Sequence, residues 1–277
     1  MARSRPIQPM NPTNDQFLAS DSGSPKGFFL SDLHLFSRRS HADVYWKQFH
    51  DTVERAHTLI LGGDIFDFKW STRPSLGHSI AEAIRWLDDL VVKYPNCALY
   101  YLLGNHDAHP DFVAELDRLA FDKPRIVWQP YFLRLGSCVF LHGDVVDGDP
   151  DHEMLEARRR ASENRPSPRA YRHFLYDAVV QARLHSVVAR VAVRQGMVLK
   201  KLSQYLTSHG MDASSGVTDI YFGHTHREMD GVEYYGLRYH NGGASIKGIG
   251  FRIIETRLTC PSKPLEKPSN TSTSNGP

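Results

Sequence analysis

The chain has 277 residues, of which 41% are hydrophobic and 23% charged, and its net charge is +2. This composition excludes a disordered or fibrous chain and suits one large domain or two small ones. A charge so near zero gives no overall pull toward nucleic acid or membrane, and no apolar run reaches the ~20 residues that cross a bilayer.

Residues 1–26 are rich in Pro, Ser and Asn and read as a disordered tail, with no apolar run of the secretory type. Gly27–Leu35 (GFFLSDLHL) reads as a strand ending in a polar loop. His41–Ala56 has helical spacing through Val44, Phe49 and Val53, and His57–Asp67 (HTLILGGDIFD) is a second strand and loop. Ser79–Lys93 is a helix with Ile80, Ile84, Leu87, Leu90 and Val91 on one side. Ala98–Asp107 is a third strand and loop, and a helix follows at Asp111–Ala120. Strands then dominate: Ile126–Leu135 and Cys138–Val146, and later Thr218–Thr225, Val232–Asn241 and Phe251–Leu258. This order predicts an α/β layered fold, a two-sheet β-sandwich flanked by helices.

Between these strands lies Pro150–Gly210, which has no strand signal and reads as a helical insertion with a break at Pro166-Ser167-Pro168. The expected organisation is therefore a main domain over 27–149 and 211–260, a cap at 150–210, and a disordered C-terminal tail over 261–277. From His152 to Gly210 there are eleven basic residues (Arg158, Arg159, Arg160, Arg165 and Lys201 among them) against four acidic ones, a net +7. Apolar residues such as Phe174, Leu184, Val198, Leu199 and Leu202 run beside them. A basic amphipathic segment suits anionic lipid surfaces or lipid-bearing phosphates. An ordinary helical hairpin packing its apolar face on the core satisfies the pattern equally. Cys97, Cys138 and Cys260 are too far apart for a thiolate metal site and read as incidental thiols of a reducing compartment.

The strand ends carry five motifs: Asp32-Leu33-His34, Gly62-Gly63-Asp64, Gly104-Asn105-His106-Asp107, His142-Gly143-Asp144 and Gly223-His224-Thr225-His226. Singly, each has an ordinary explanation: a tight turn, a packing histidine, a capped loop. Five in order, each after a strand, point to one site where loops converge. Asp-x-His and His-x-His place two donors at i and i+2, on one face of an extended backbone. Carboxylate, imidazole and amide donors without thiolate suit Mn, Fe, Zn or Ni, and Asp64 has two oxygens with which to bridge two cations. Asp67 and Asp144 read as braces for neighbouring donors, as does the His240-Asn241-Gly242-Gly243 loop. His41, His50, His57, His109, His152, His173, His185 and His209 read as surface or packing residues.

The motif set resembles the calcineurin-like metallophosphoesterase superfamily, whose blocks read D-x-H, G-D-x-x-D, G-N-H-D/E, a later His, and G-H-x-H. The resemblance covers residues 32–226 and implies two divalent metal ions, manganese foremost. One would be held by Asp32, His34, Asp64 and His226, the other by Asp64, Asn105, His142 and His224. It further implies hydrolysis of a phosphoester or phosphoanhydride by metal-bridged hydroxide. His106 would assist the leaving oxygen, and Asp107 would orient the His106 ring. The position of the insertion, together with SDLHL, HGD and GHTHR, is similar to the UDP-2,3-diacylglucosamine diphosphatase-like (LpxH-like) group. Those diphosphatases carry Arg where this chain has His106. That resemblance implies a phosphorylated small-molecule or lipid-linked substrate; the polar N-terminus and the lack of a bilayer-spanning run point to a cytoplasmic address, with peripheral contact at the inner membrane through 150–210 left open. Nucleic acid is not an expected partner, because the insertion lacks interleaved aromatic residues. The competing readings are a phosphodiesterase or nuclease, a phosphomonoesterase, and a metal-binding scaffold without catalysis.

Overall fold

Alternation along the strands sets the layering. In β1 (Gly27–Leu30), Phe28 and Leu30 join one core cluster and Phe29 another. In β2 (Thr58–Leu61), Leu59 and Leu61 likewise part from Ile60. Successive side chains of a strand point to opposite faces, so both faces of this sheet must be covered. The computed structural model describes residues 26–149, 151–163 and 195–258. The expected tails, Cys260, the break at Pro166–Pro168 and most of the basic segment lie outside the described residues.

The first sheet runs β10-β1-β2-β3-β4, completed by β3 (Ala98–Leu102), β4 (Ile126–Gln129) and β10 (Ile254–Thr256). Its three pairings from β1 to β4 are parallel, and only β10 is antiparallel. Helices α1 (Trp46–Glu54), α2 (Leu76–Lys93) and α3 (Pro110–Asp122) cover its outer face through Phe49, Val53, Ile80, Leu87, Phe112 and Leu116. Two of these helices start where local chemistry directs. The Ser75 hydroxyl accepts from the His78 amide to cap α2, three residues earlier than the apolar spacing predicts. Pro110 opens α3, where its missing N–H costs nothing.

The second sheet runs β5-β6-β7-β9-β8, formed by β5 (Phe132–Leu135), β6 (Cys138–Leu141), β7 (Asp219–Phe222), β8 (Met229–Tyr234) and β9 (Leu237–Asn241). Phe29, Ile60, Tyr100, Phe140 and Tyr221 fill the space between the sheets. On the far side, α4 (His152–Glu163) and α5 (Gln195–Ser208) pack Leu155, Val198, Leu199, Leu202 and Leu206 against Val139, Leu141, Ile220 and Phe222. The layers are thus helix, sheet, sheet, helix.

Two predicted strands are each two strands. Ile126–Leu135 breaks at Pro130, which has no N–H for a ladder. The chain crosses there from the edge of one sheet to the edge of the other. Val232–Asn241 is the β8–β9 hairpin, turned at Tyr235 (φ 48°) and Gly236 (φ 73°), the two left-handed residues a tight hairpin turn requires. A third correction concerns charge. Arg159, counted above with the basic surface, is only 7% exposed and forms a two-toothed pair with buried Asp144. Among the described residues no helix is long and apolar enough to cross a membrane.

Candidate metal centre

Every predicted donor lies just past the C-terminal end of a strand. The strands β1, β2, β3, β6 and β7 run in the same sense within their sheets, so their following loops meet at one end of the sandwich. Backbone bonds zip these loops together. Asp32 N–H donates to Gly63 O at 3.0 Å, His34 N–H to Asp64 O at 2.9 Å, and Gly223 N–H to His142 O at 2.8 Å.

The backbone here is not extended, contrary to the expectation for Asp-x-His and His-x-His. Asp32 (φ 55°), His34 (48°), Asp64 (52°), His224 (63°) and His226 (53°) all adopt left-handed conformations. Each such non-glycine residue costs on the order of 1 kcal/mol or more. Five together persist only because the loops over-determine them, and this strain is concentrated on the donors. Close packing also explains two glycines. A Cβ at Gly104 would collide with the Asp64 amide and carboxylate, and one at Gly223 with the Asp32 carboxylate and Ser31.

The side chains form two donor groups. Around Asp32, His34 and His226, the Nε2 atoms of the two histidines are 3.2 Å apart and His226 Nε2 is 3.3 Å from Asp32 Oδ1. Around Asp64, His142 and His224, Asn105 Oδ1 lies 3.2 Å from His142 Nε2 and 3.0 Å from His224 Nδ1. His142 Nε2 is 3.5 Å from Asp64 Oδ2. A third triplet, His34, Asp64 and His106, links the two groups. Asp32, His34, Asp64 and His142 are buried, while His106, His224 and His226 form the accessible rim.

Charge and tautomer fit this donor set to divalent cations. Among the described residues the only ion-pair partners of buried Asp32 and Asp64 are histidines. Burial opposes charge on His142, yet Asp64 and further carboxylates override it and push the imidazole up to about 10. Burial likewise opposes charge on Asp64, but His142 and His106 hold it well below the usual carboxylate range. His224 is raised as well, whereas burial and the neighbouring Arg39 hold His34 well below the usual imidazole range, so the shortage of positive charge lies on the side of Asp64, His142 and His224. His142 Nδ1 lies 3.0 Å from Gly62 O, and a carbonyl only accepts, so the Nδ1 proton is fixed and Nε2 faces the donors. His224 is oriented in the same manner: Asp147 Oδ2 sits 2.9 Å from Nε2, leaving Nδ1 toward Asn105. The thiols of Cys97 and Cys138 are buried elsewhere in the core and pushed up to about 12, so they offer no ligand.

One predicted role is misplaced. Asp107 does not orient His106. Its carboxylate accepts from Gly104 N–H at 2.7 Å, Ile65 N–H at 2.9 Å and the Tyr101 hydroxyl at 2.6 Å. It fastens the loop, and burial together with Asp64 pushes it up to about 6. The carboxylate beside His106 is Asp67, whose Oδ1 is 2.9 Å from His106 Nδ1. Asp144 braces the site through Arg159, and Asn241 does so directly, donating to Gly223 O at 2.9 Å. His240 instead pairs with Asp219 at the other end of β7. Of the histidines read as packing or surface groups, His50 meets the Tyr94 hydroxyl, His109 caps α3, and His152 stacks between Tyr131 and His209. His173 and His185 lie outside the described residues. Sequence reasoning did not single out Arg39 or Asp147, because neither falls at a motif spacing.

No curated protein matches the chain. Among solved structures it is similar to a dimetal phosphatase from Danio rerio, at 13% identity and a TM-score of 0.40, over 80% of this chain and 88% of that one. Residues 28–228 match the calcineurin-like phosphoesterase (Metallophos) family, a span that holds all seven predicted donors and His106. The chain belongs to the calcineurin-like phosphoesterase family and is a hydrolase of phosphoester bonds.

Proposed function

We propose that this enzyme hydrolyses a phosphodiester or phosphoanhydride of a small molecule, using one cation held by Asp32, His34, Asp64 and His226 and another held by Asp64, Asn105, His142 and His224. The observation that carries this reading is the pair of buried N/O donor groups joined through His34 and Asp64. Such donors suit manganese, with iron, zinc and nickel as competitors. When bound, two divalent ions acidify a coordinated water and draw charge from phosphoryl oxygens. The protein's own groups do the rest. Asp67 accepts from His106 Nδ1, which turns Nε2 toward the donor groups, 4.0 Å from Asp64 Oδ2. With its side chain 15% exposed at the rim, His106 is placed to meet a substrate and to donate a proton to the departing oxygen.

For the substrate, we favour a nucleotide-linked or lipid-linked diphosphate of the UDP-2,3-diacylglucosamine type. Support comes from α4, which opens the expected insertion and is anchored beside the site: Arg159 Nη2 donates to Leu103 O, two residues before Asn105. The test is a panel with Mn²⁺, including acylated UDP-sugars, nucleotide diesters, phosphomonoesters and short oligonucleotides. Hydrolysis should disappear in Asp64→Ala and fall in His106→Ala. No hydrolysis of any member by protein holding two metal ions per chain leaves a scaffold and ends the enzymatic reading. Equal rates on UDP-diacylglucosamine and UDP-glucose, without liposome co-sedimentation, end the lipid-linked one.

A further inference from the structure

We propose that Arg39 is a positioning residue for proton donation to the leaving group: it fixes Asp67, and Asp67 fixes His106. The proposal rests on the reading of His106 as proton donor.

Arg39 comes from the loop that follows β1, beyond the Asp32-Leu33-His34 motif. That loop is tied down on both sides. Ser37 Oγ donates to His34 O and Ser40 Oγ to Leu33 O, while Thr72 N–H donates to Phe36 O across to the loop after Asp67. The Arg39 side chain is only 8% exposed and folds back beneath the rim. One nitrogen, Nη2, lies 2.8 Å from Asp67 Oδ2, 2.9 Å from His34 Nδ1, and 3.4 and 3.3 Å from Nδ1 and Nε2 of His106.

The division of the Asp67 carboxylate gives this contact its meaning. Asp67 is fully buried. Its Oδ2 takes Arg39, and its Oδ1 accepts from Trp70 N–H at 3.0 Å and sits 2.9 Å from His106 Nδ1. With one oxygen held by a guanidinium and the other by a backbone amide, the carboxylate plane has a single setting. Oδ1 then assigns the proton to His106 Nδ1 and leaves Nε2 toward the donor groups, 4.0 Å from Asp64 Oδ2. Without Arg39 the carboxylate keeps only its Oδ1 contacts, and its plane can rotate about them. The planar, always-charged guanidinium suits this task better than an ammonium. A purely structural Arg39, neutralising Asp67 and nothing more, would not distinguish one leaving group from another. That difference provides the test.

Two matched phosphodiesters are compared on the metal-loaded enzyme, one releasing nitrophenol and one releasing a primary alcohol. The alcohol needs a proton as it leaves; nitrophenolate does not. Because Arg39 also touches the donor His34, the comparison uses protein brought to the metal content of the parent; there Arg39→Met should lower the ratio of alkyl to aryl turnover about 10–100-fold, the loss expected when a proton donor is displaced by about an ångström. In a His106→Ala background, Arg39→Met should lower the ratio no further. In the metal-free protein, nitrogen-resolved NMR of the His106 ring should show a protonated Nδ1 that Arg39→Met loses. Arg39→Lys keeps a cation against Asp67 and decides the matter if Arg39→Met does not fold, with a ratio below that of the parent expected. Equal losses on both esters, an unchanged ratio in Arg39→Lys with no folded Arg39→Met, or a full additional loss in the His106→Ala background overturns the proposal. If His106→Ala itself leaves the ratio unchanged, the proton-donor reading fails and this inference with it. If His106→Ala lowers the ratio and Arg39→Met does not, only the role of Arg39 falls.

Discussion

Replacing Arg159 by Met removes one buried cation and four hydrogen bonds. Its Nε and Nη2 reach Asp144 at 2.8 and 3.0 Å, Nη1 reaches Pro130 O at 2.6 Å, and Nη2 reaches Leu103 O at 2.8 Å. Asp144 is 4% exposed, so the change leaves a charge buried without its partner. Breaking one side of such a pair costs about 3–5 kcal/mol. The two carbonyls lose charged donors as well, though these terms overlap with the first. The expected loss is therefore about 4 kcal/mol, or roughly 8–16 °C in Tm for a domain of this size. Urea titration followed by circular dichroism measures it. The companion Arg159→Met/Asp144→Leu variant should recover most of the loss, because two apolar side chains of similar volume replace the pair without leaving a charge. A loss below about 1 kcal/mol in the single variant, or a double variant less stable than either single, refutes the view that this pair fastens α4 to the site.

Three further outcomes follow from the same geometry. Gly104→Ala should cut metal stoichiometry while leaving a folded protein, because the added methyl meets the Asp64 carboxylate and amide and small overpacked groups cost about 1–3 kcal/mol; metal analysis after gel filtration reads it. Metal affinity should rise with pH between 6 and 9: in the metal-free protein His142 is pushed up to about 10 and His224 is also raised, so loading must displace protons. Calorimetry in buffers of differing ionisation enthalpy should show proton release, and a pH-independent affinity contradicts the histidine assignment. Burial opposes ionisation of Asp219, but bonds from His240, Arg238 and Thr218 outweigh it and hold the carboxyl below the usual range. A depressed carboxyl stabilises the fold above its unfolded pKa of about 3.9 and loses that contribution as pH falls toward the folded value. Acid unfolding should thus steepen below about pH 4, and Asp219→Asn should flatten that limb.

The layers follow from local pattern. Phe28, Phe29 and Leu30 already alternate between two cores when read as a strand, and the apolar positions of α2 and α3 lie at helical spacing. The donors follow from motif and order, since five such motifs in sequence, each after a strand, point to one site although each alone has an ordinary explanation. The β8–β9 hairpin had its signal in Gly236, and the start of α2 had its signal in Ser75; both were legible but weak. The break at Pro130 was marked as well, but the crossing between sheets was not.

By itself the sequence determined which residue types line the strand ends and therefore what chemistry the chain can attempt. Only the tertiary structure decided how those residues are held. It placed Asp67 rather than Asp107 beside His106, brought Arg39 across 28 residues to Asp67, and buried Arg159 instead of leaving it on a basic surface. It also put the donors in left-handed turns where spacing had implied extended chain. The physical reason is common to all four. A carboxylate's partner is whichever donor the topology delivers within about 3 Å, and a strained φ persists only under the pressure of neighbouring loops. Neither leaves a periodic trace along the chain, whereas burial of alternate side chains does.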